Sequence, residues 1–139
     1  MEYILLLTAC INPDGMPFTC LADVGVRKKQ YIEALNFYLK NTTRKIVFVE
    51  NSGTDISSSF KDFQHRIEFL CFDGNLCFDK RKGKGYGEAL ILEYAMAKSE
   101  FITDDVLIFK LTGRLQLINI NRLIHYMDCL LYTSPSPRD

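Results

Sequence analysis

The stretch KIVFVE, Lys45–Glu50, decides the fold of this chain. Four apolar residues follow one another without a polar interruption, and two of them are valines, which is typical of a strand covered on both faces of a parallel sheet. The stretch ends on a carboxylate, and the short polar sequence NSGTD follows directly. A carboxylate at that end of a buried strand raises the question of what it binds.

Three more apolar runs predict strands: Tyr3–Thr8, Arg66–Phe72 and Asp105–Leu111. Between the first two strands, Tyr31, Leu35 and Tyr38 recur at helical spacing. Before the last strand, residues 88–101 are apolar nearly all round, which predicts a buried helix. Strands that alternate with helices predict an α/β fold, with a mainly parallel sheet and helices on both of its faces.

The composition excludes several classes of protein. With 17 basic and 17 acidic residues among 139, the chain has no global positive field, so no nucleic-acid partner is expected. Its apolar runs fall short of the roughly 18 residues that a membrane span requires, and we expect a cytoplasmic protein. The five cysteines form no CxxC pair, and the apolar surroundings of Cys10 and Cys71 predict reduced thiols and no zinc site.

The last eleven residues, Cys129–Asp139, differ in kind from the rest of the chain. Their sequence, CLLYTSPSPRD, resembles the in-frame translation of a common sequencing adapter. We therefore expect one incomplete natural domain over residues 1–128, which continues beyond Asp128 in other sequence. A further helix, capped by Asn119 or Asn121, is predicted near this end, and the fourth strand is expected to keep an exposed edge.

Ligands of open α/β sheets bind beyond the carboxyl ends of the strands, so the loops there carry the candidate site. After the first strand, Thr8 and Asn12 offer side-chain hydrogen bonds, although an ordinary turn explains them as well. After the second strand, Glu50, Asn51 and Asp55 are candidates to hold a ribose or a base. The alternative is that the polar residues up to Asp55 cap a helix that follows.

The third and fourth loops are basic. The sequence DKRKGKGYGEA places the cations of Lys80–Lys84 and the residues Gly85 and Glu88 at the start of a helix, a setting suited to phosphate. Its GxGxG spacing is neither that of dinucleotide binders nor a Walker motif, and a solvated basic loop is the alternative. After the fourth strand, Lys110 and Arg114 could stabilise a diphosphate, unless each forms a surface salt bridge.

The segments LLLTACINP, YIEALNFYLKNT and IVFVENSGTD together resemble the N-terminal half of nucleotide-sugar-dependent glycosyltransferases with the GT-A fold, such as the family-2 enzymes. The resemblance covers Tyr3 to about Arg114. It implies that Thr8 and Glu50 contact the base and ribose of the donor, and that the segment Lys84–Glu88 lies beneath it. The family transfers a sugar from a nucleotide diphosphate to a glycan or lipid-linked acceptor, which implies a role in bacterial surface polysaccharide synthesis.

The sequence departs from that family at the end of the fourth strand. Where the family places an Asp-x-Asp metal site, this chain has KLTGR, Lys110–Arg114, without a carboxylate. A Mg or Mn ion would therefore need ligands further downstream, as would the catalytic base and any membrane association, and the fragment itself is expected to be inactive. His65 and His125 are weak candidates for the base, and Asp104 and Asp105 lie at the wrong end of the strand.

Two other functions stay open from the sequence. A sugar-phosphate nucleotidyltransferase would need a glycine-rich loop near the first strand, and that loop has only Gly15. A non-catalytic nucleotide-binding module would explain the lack of an Asp-x-Asp motif. Fold resemblance alone does not decide among the three.

Overall fold

The computed structural model describes residues 2–12, 23–74 and 83–133, which form a four-stranded sheet. The strands are Glu2–Ala9 (β1), Lys45–Glu50 (β2), Ile67–Cys71 (β3) and Val106–Thr112 (β4). Their order across the sheet is β3-β2-β1-β4, and every neighbouring pair is parallel. The predicted α/β fold with a parallel sheet is therefore confirmed.

Helices connect the strands. α1 covers Val24–Asn41 between β1 and β2, and α2 covers Gly83–Lys98 between β3 and β4. α3, Ile120–Thr133, follows β4, and a short 3-10 helix covers Ser57–Phe63. Among the helices of the described residues, none has the length and hydropathy that crossing a bilayer requires.

Each face of the sheet has its own apolar core. Because side chains alternate along a strand, Leu5 and Leu7 of β1 pack with residues of α1 and α3, whereas Ile4 and Leu6 pack with residues of α2. All four side chains are buried, and each such burial contributes roughly 1.5–3 kcal/mol. The unbroken apolar run of β1 is explained by this cover on both faces.

α1 has clear ends and one buried face. At its start the side chain of Asp23 accepts a main-chain N–H of the first turn, and at its end the hydroxyl and amide of Thr42 both donate to the Tyr38 carbonyl. Tyr31, Leu35 and Tyr38 are buried on the side that faces the sheet, as their spacing predicts. The first turn of α1 lies at the carboxyl edge of the sheet, since Arg27 donates to the carbonyl of Cys10, directly after β1.

The prediction that α2 is buried on all sides is wrong. Ile91 and Ala95 are buried against the sheet, but Met96 is 62% exposed. The helix packs through one face, and no element of the described residues covers the other. α3 begins directly after Asn119, near the predicted position, whereas the Asn121 side chain donates to a carbonyl of α1 and so does not cap the helix.

Candidate functional site

The strand order contains one point at which the direction of the chain across the sheet reverses. β1 leads to β2 on one side, while β4 lies on its other side. α1 and α3, the helices that follow β1 and β4, pack on one face of the sheet, and α2 packs on the other. The carboxyl ends of β1 and β4 therefore lie between the start of α1 and the start of α2, and this region is here called the crevice. Ligands of open parallel sheets bind beyond the carboxyl ends of the strands, near the point where the strand order reverses, which makes the ends of β1 and β4 the first candidates.

Three residues that the sequence predicted as donor contacts meet at this crevice, Thr8, Glu88 and Lys110, here called the Thr8–Glu88–Lys110 cluster. The Thr8 hydroxyl donates to Glu88 Oε1 at 2.6 Å. Lys110 Nζ lies 2.9 Å from Glu88 Oε2, in an ion pair whose angles fall outside hydrogen-bond geometry. The Glu88 and Lys110 side chains are 32% and 43% exposed, but the paired oxygen, Glu88 Oε2, is buried, so a ligand at this site would meet the Lys110 ammonium.

Strand register explains why these side chains lie together. β1 and β4 pair Leu6 with Lys110 and Thr8 with Thr112, which places Thr8 and Lys110 on the same face, toward α2. The first turns of α2 bring Glu88 to that face. An ammonium group has three donor hydrogens, so Lys110 can donate to a ligand while it is paired with Glu88.

Gly113 joins the carboxyl ends of β1 and β4. Its N–H donates to the Thr8 carbonyl at 2.8 Å, which extends the contact of β1 and β4 by one residue. A Cβ atom at this position would lie 2.7 Å from the Thr8 oxygen and 3.1 Å from the Tyr31 ring, so a larger residue would push the strand ends apart. Arg114 follows it and is half-buried.

The sequence interpretation missed two residues of α1 at this edge. Arg27 is buried, and its Nε and Nη2 donate to the Cys10 carbonyl at 2.8 and 2.6 Å. The Tyr31 hydroxyl accepts the Cys10 N–H at 2.9 Å. Burial raises the pKa of Tyr31, while the hydrogen bond to the Cys10 main chain and the positive charges of Arg27 and Arg114 act in the opposite direction. The signal was the spacing, since Arg27 lies four residues before Tyr31 on the buried face.

Glu50 lies on the other face of the sheet from the Thr8–Glu88–Lys110 cluster. β1 and β2 pair Ala9 with Glu50 and Thr8 with Val49, so Glu50 points toward the α1 side. Glu50 is 1% exposed. The resemblance implies that Glu50 contacts a nucleoside directly, and this stays a prediction. Such a contact would require one of the protein groups that donate to Glu50 to break its hydrogen bond.

Both Glu50 oxygens accept hydrogen bonds from the protein. Oε1 accepts the N–H groups of Ser52 and Thr54, each at 2.8 Å. Oε2 accepts the N–H of Ile11 at 2.7 Å and the hydroxyl of Ser52 at 2.5 Å. Ser52 was not among the predicted site residues, and its position two residues after the strand end was the only signal for it.

The other predicted residues of these two loops have different surroundings. The Asn12 N–H donates to Ser52 Oγ at 3.0 Å. Asn51 has a buried side-chain oxygen without a hydrogen-bond partner. Asp55 is exposed and accepts the Ser57 N–H at 2.8 Å, a local turn just before the 3-10 helix, whose N-cap residue is Ile56 and has no side-chain capping bond.

Part of the basic segment lies beyond what the structure describes. Lys84 and Gly85 belong to the first turn of α2, on the same helix as Glu88. The side chain of Lys84 and the cations of Lys80–Lys82 lie outside the described atoms. The predicted phosphate contacts of this segment therefore stay predictions.

The described residues do not fit the divalent cation of the resembled family. They contain no group of three or more His, Cys, Asp or Glu side chains that could hold a metal. Asp104 and Asp105 precede β4 at the amino end of the sheet, as the sequence predicts. His65 and His125 are exposed, and neither lies on β1, β4 or α2.

Two free thiols lie on either side of Glu50. Cys10 and Cys71 are half-buried and form no disulfide, which agrees with the predicted reduced state. Burial, followed by the negative charge of Glu50, raises the pKa of each thiol to about 11. Both are therefore protonated at neutral pH. Cys20 and Cys77 lie outside the described residues.

An open depression of about 720 Å³ lies along α3, away from the strand ends. It is lined by Asn119, Asn121, Arg122, Leu123, His125, Tyr126 and Cys129. One helix contributes nearly all of this lining, and the surface does not converge with a strand terminus. The crevice between β1 and β4 therefore stays the better candidate.

Comparison of the chain with protein-family models, with curated proteins and with solved structures found no match.

Proposed function

We propose that the chain is the donor-binding part of a cytoplasmic glycosyltransferase, which transfers a sugar from a nucleotide diphosphate to a glycan or lipid-linked acceptor in bacterial surface polysaccharide synthesis. The observation that carries the proposal is the convergence of Thr8, Glu88 and Lys110 at the point where the parallel sheet reverses direction. Such a crevice suits a nucleotide, because donors and acceptors lie side by side on its rim.

Each side chain has a part in this proposal. Lys110 meets the diphosphate as a point charge, and Arg114 meets it with two parallel donors. As the bond to the sugar breaks, negative charge grows on the diphosphate, and cations fixed beside it stabilise that charge. Glu88 keeps Lys110 oriented toward the ligand, since one of its oxygens accepts the Thr8 hydroxyl and the other is buried beside the ammonium.

Calorimetric titration of nucleoside diphosphates tests the proposal. UDP, GDP, CDP and ADP are titrated into the wild-type chain and into Lys110→Gln, which keeps the length of the side chain but removes its charge. We expect one of the four to bind the wild type, and we expect Lys110→Gln to weaken it by roughly tenfold or more, as the loss of a hydrogen bond from a charged donor implies.

Lys98→Gln is the matched control. Lys98 is exposed at the other end of α2, far from the strand ends that form the crevice, and its loss changes the net charge equally. We expect its affinity to equal that of the wild type. Absence of binding to all four nucleotides, or equal weakening by both variants, would contradict the proposal.

A second candidate function is a non-catalytic nucleotide-binding module. It is favoured by the sequence KLTGR at the end of β4 and by the absence of a metal-binding group among the residues described. The two functions differ in turnover. Measured on the full-length protein, release of free sugar from a bound nucleotide sugar, lost in Arg114→Ala, would support the enzyme, whereas binding without release would support the module.

A further inference from the structure

We propose that Glu50 is a positioning residue, which fixes the loops after β1 and β2 relative to one another and does not touch the ligand. The inference rests on the proposed function, since it takes the ligand of the crevice to be a nucleotide. It differs from what the family resemblance implies, namely that this carboxylate contacts the nucleoside directly.

The hydrogen bonds of Glu50 are the first evidence. Its two oxygens accept five hydrogen bonds, three from main-chain N–H groups, one from the Ser52 hydroxyl and one, at 3.9 Å, from the Cys71 thiol. The donors come from both loops, Ile11 after β1, and Ser52 and Thr54 after β2. In the described residues, the last main-chain hydrogen bond between these two segments is the one from the Asn51 N–H to the Ala9 carbonyl. Beyond it, the Glu50 carboxylate sets the distance between the two loops.

The network reaches a third loop through its neighbours. Ser52 pairs with Asp73 in an isolated antiparallel bridge, and the Gly74 N–H donates to the Asn51 carbonyl at 2.7 Å. Ser52 Oγ also accepts the Asn12 N–H. The loops after β1, β2 and β3 are thus connected through the residues that hold Glu50.

Burial is the second line of evidence. A carboxylate offers about four lone-pair sites, and in Glu50 five protein donors occupy them. At 1% exposure the group has no open side from which a ribose could approach. A ligand hydroxyl would have to displace a main-chain N–H and leave it buried without a partner, which is unfavourable.

Glu50→Gln tests the role, because it keeps the shape but replaces one acceptor oxygen with a donor. The affinities of UDP, GDP, CDP and ADP and of their 2′-deoxy forms are measured well below the Tm of the variant. We expect ribo- and deoxynucleotides to lose affinity together, by roughly tenfold or more, so that their ratio stays that of the wild type.

Two results would overturn the proposal. If the deoxynucleotides keep their affinity while the ribonucleotides lose it, Glu50 contacts the ribose directly. If the Tm falls but no affinity changes, Glu50 serves stability alone. Ser52→Ala is the second variant, because it removes the hydroxyl that joins Glu50 to Asn12, and it should give a smaller loss with the same preserved ratio.

Glu68→Gln is the matched control. Glu68 also accepts a hydroxyl and a main-chain N–H, from Ser99 and Glu100, but it lies near the amino edge of the sheet. We expect this variant to lower the Tm and leave nucleotide affinity unchanged. A loss of affinity equal to that of Glu50→Gln would mean that both act through general stability, against the proposal.

Hydrogen exchange separates this inference from the proposed function. If the wild type binds none of the nucleotides, the proposed function fails, yet the positioning role is still measurable. Exchange at the Ile11, Ser52 and Thr54 amides should then accelerate at least tenfold in Glu50→Gln, while the Leu6 amide in β1 stays protected. Equal acceleration at all four amides would contradict the positioning role.

Discussion

At the scale of residues, two carboxylates at the same edge of the sheet have opposite environments. Glu50 is buried and its partners are neutral donors, whereas Glu88 is partly exposed and faces the Lys110 ammonium. Environment decides what a carboxylate can do, because burial with satisfied acceptors removes it from ligands, and a carboxylate paired with a partly exposed cation can orient that cation toward a ligand. Glu50 therefore suits a role within the fold, and Glu88 one at the crevice.

The thiols beside Glu50 give a pH-dependent prediction. Burial and the charge of Glu50 raise the pKa of both Cys10 and Cys71 to about 11, and only the thiolate reacts with iodoacetamide. At pH 8 we expect labelling of these two cysteines to be roughly 100-fold slower in the native chain than in urea, because a pKa raised from 9.0 to about 11 leaves about one hundredth as much thiolate. Peptide mass spectrometry measures each rate separately.

The sign of the pH effect follows from the direction of the shift. Unfolded thiols ionise near pH 9 and folded ones near pH 11, so the folded chain holds its protons more tightly and loses stability as pH rises between these values. Native labelling should accelerate over the same pH range. In Glu50→Gln the acceleration should begin at a lower pH, because the negative charge that raises both pKa values is absent. Native rates at pH 8 equal to those in urea would show that the thiols are not perturbed.

The roles of single residues could be predicted from the sequence only in part. Thr8, Glu88 and Lys110 were correctly placed at one edge, because each lies at the end of a strand or the start of a helix. The separation of Glu50 from Thr8 could not be predicted. Alternation fixes the face of a side chain within one strand, but the register between β1 and β2 determines which faces coincide.

At the scale of elements, β4 is the least covered strand of the sheet. It lies at an edge of the described sheet, as the sequence predicts for the fourth strand, and its side chains alternate between half-buried and exposed. Ile108 pairs with Ile4 and so lies on the face of the sheet toward α2, where it is still 37% exposed. An apolar edge strand with unpaired main-chain groups favours pairing with another chain.

We therefore expect the chain to self-associate with rising concentration, and Ile108→Lys to suppress this association. The charge would project from the face toward α2, and the stability cost should stay below about 1 kcal/mol because the side chain is already partly exposed. Sedimentation velocity over a range of concentrations measures the effect.

Ala97→Lys is the control for that experiment, since it adds the same charge at an exposed position of α2. It should leave the association unchanged. A wild-type chain that stays monomeric at every concentration, or equal suppression by both variants, would contradict the assignment of the β4 edge as the contact.

At the scale of the whole molecule, the α/β class could be predicted from the sequence but the strand order could not. Apolar runs and helical spacing indicate which elements form, since they report how each element is covered. They do not indicate whether β4 pairs with β3 or with β1, because both arrangements bury the same residues. Only the order β3-β2-β1-β4 locates the crevice between β1 and β4.

The most direct test of a nucleotide site in that crevice is amide-resolved NMR during titration with the nucleoside diphosphate that binds best. We expect the largest shifts at the ends of β1 and β4 and on α2, at Thr8, Gly113 and Glu88. Amides at the amino edge, such as those of Lys45 and Glu68, should not move. Shifts concentrated at the amino edge or along α3, or no shifts at all, would contradict this expectation.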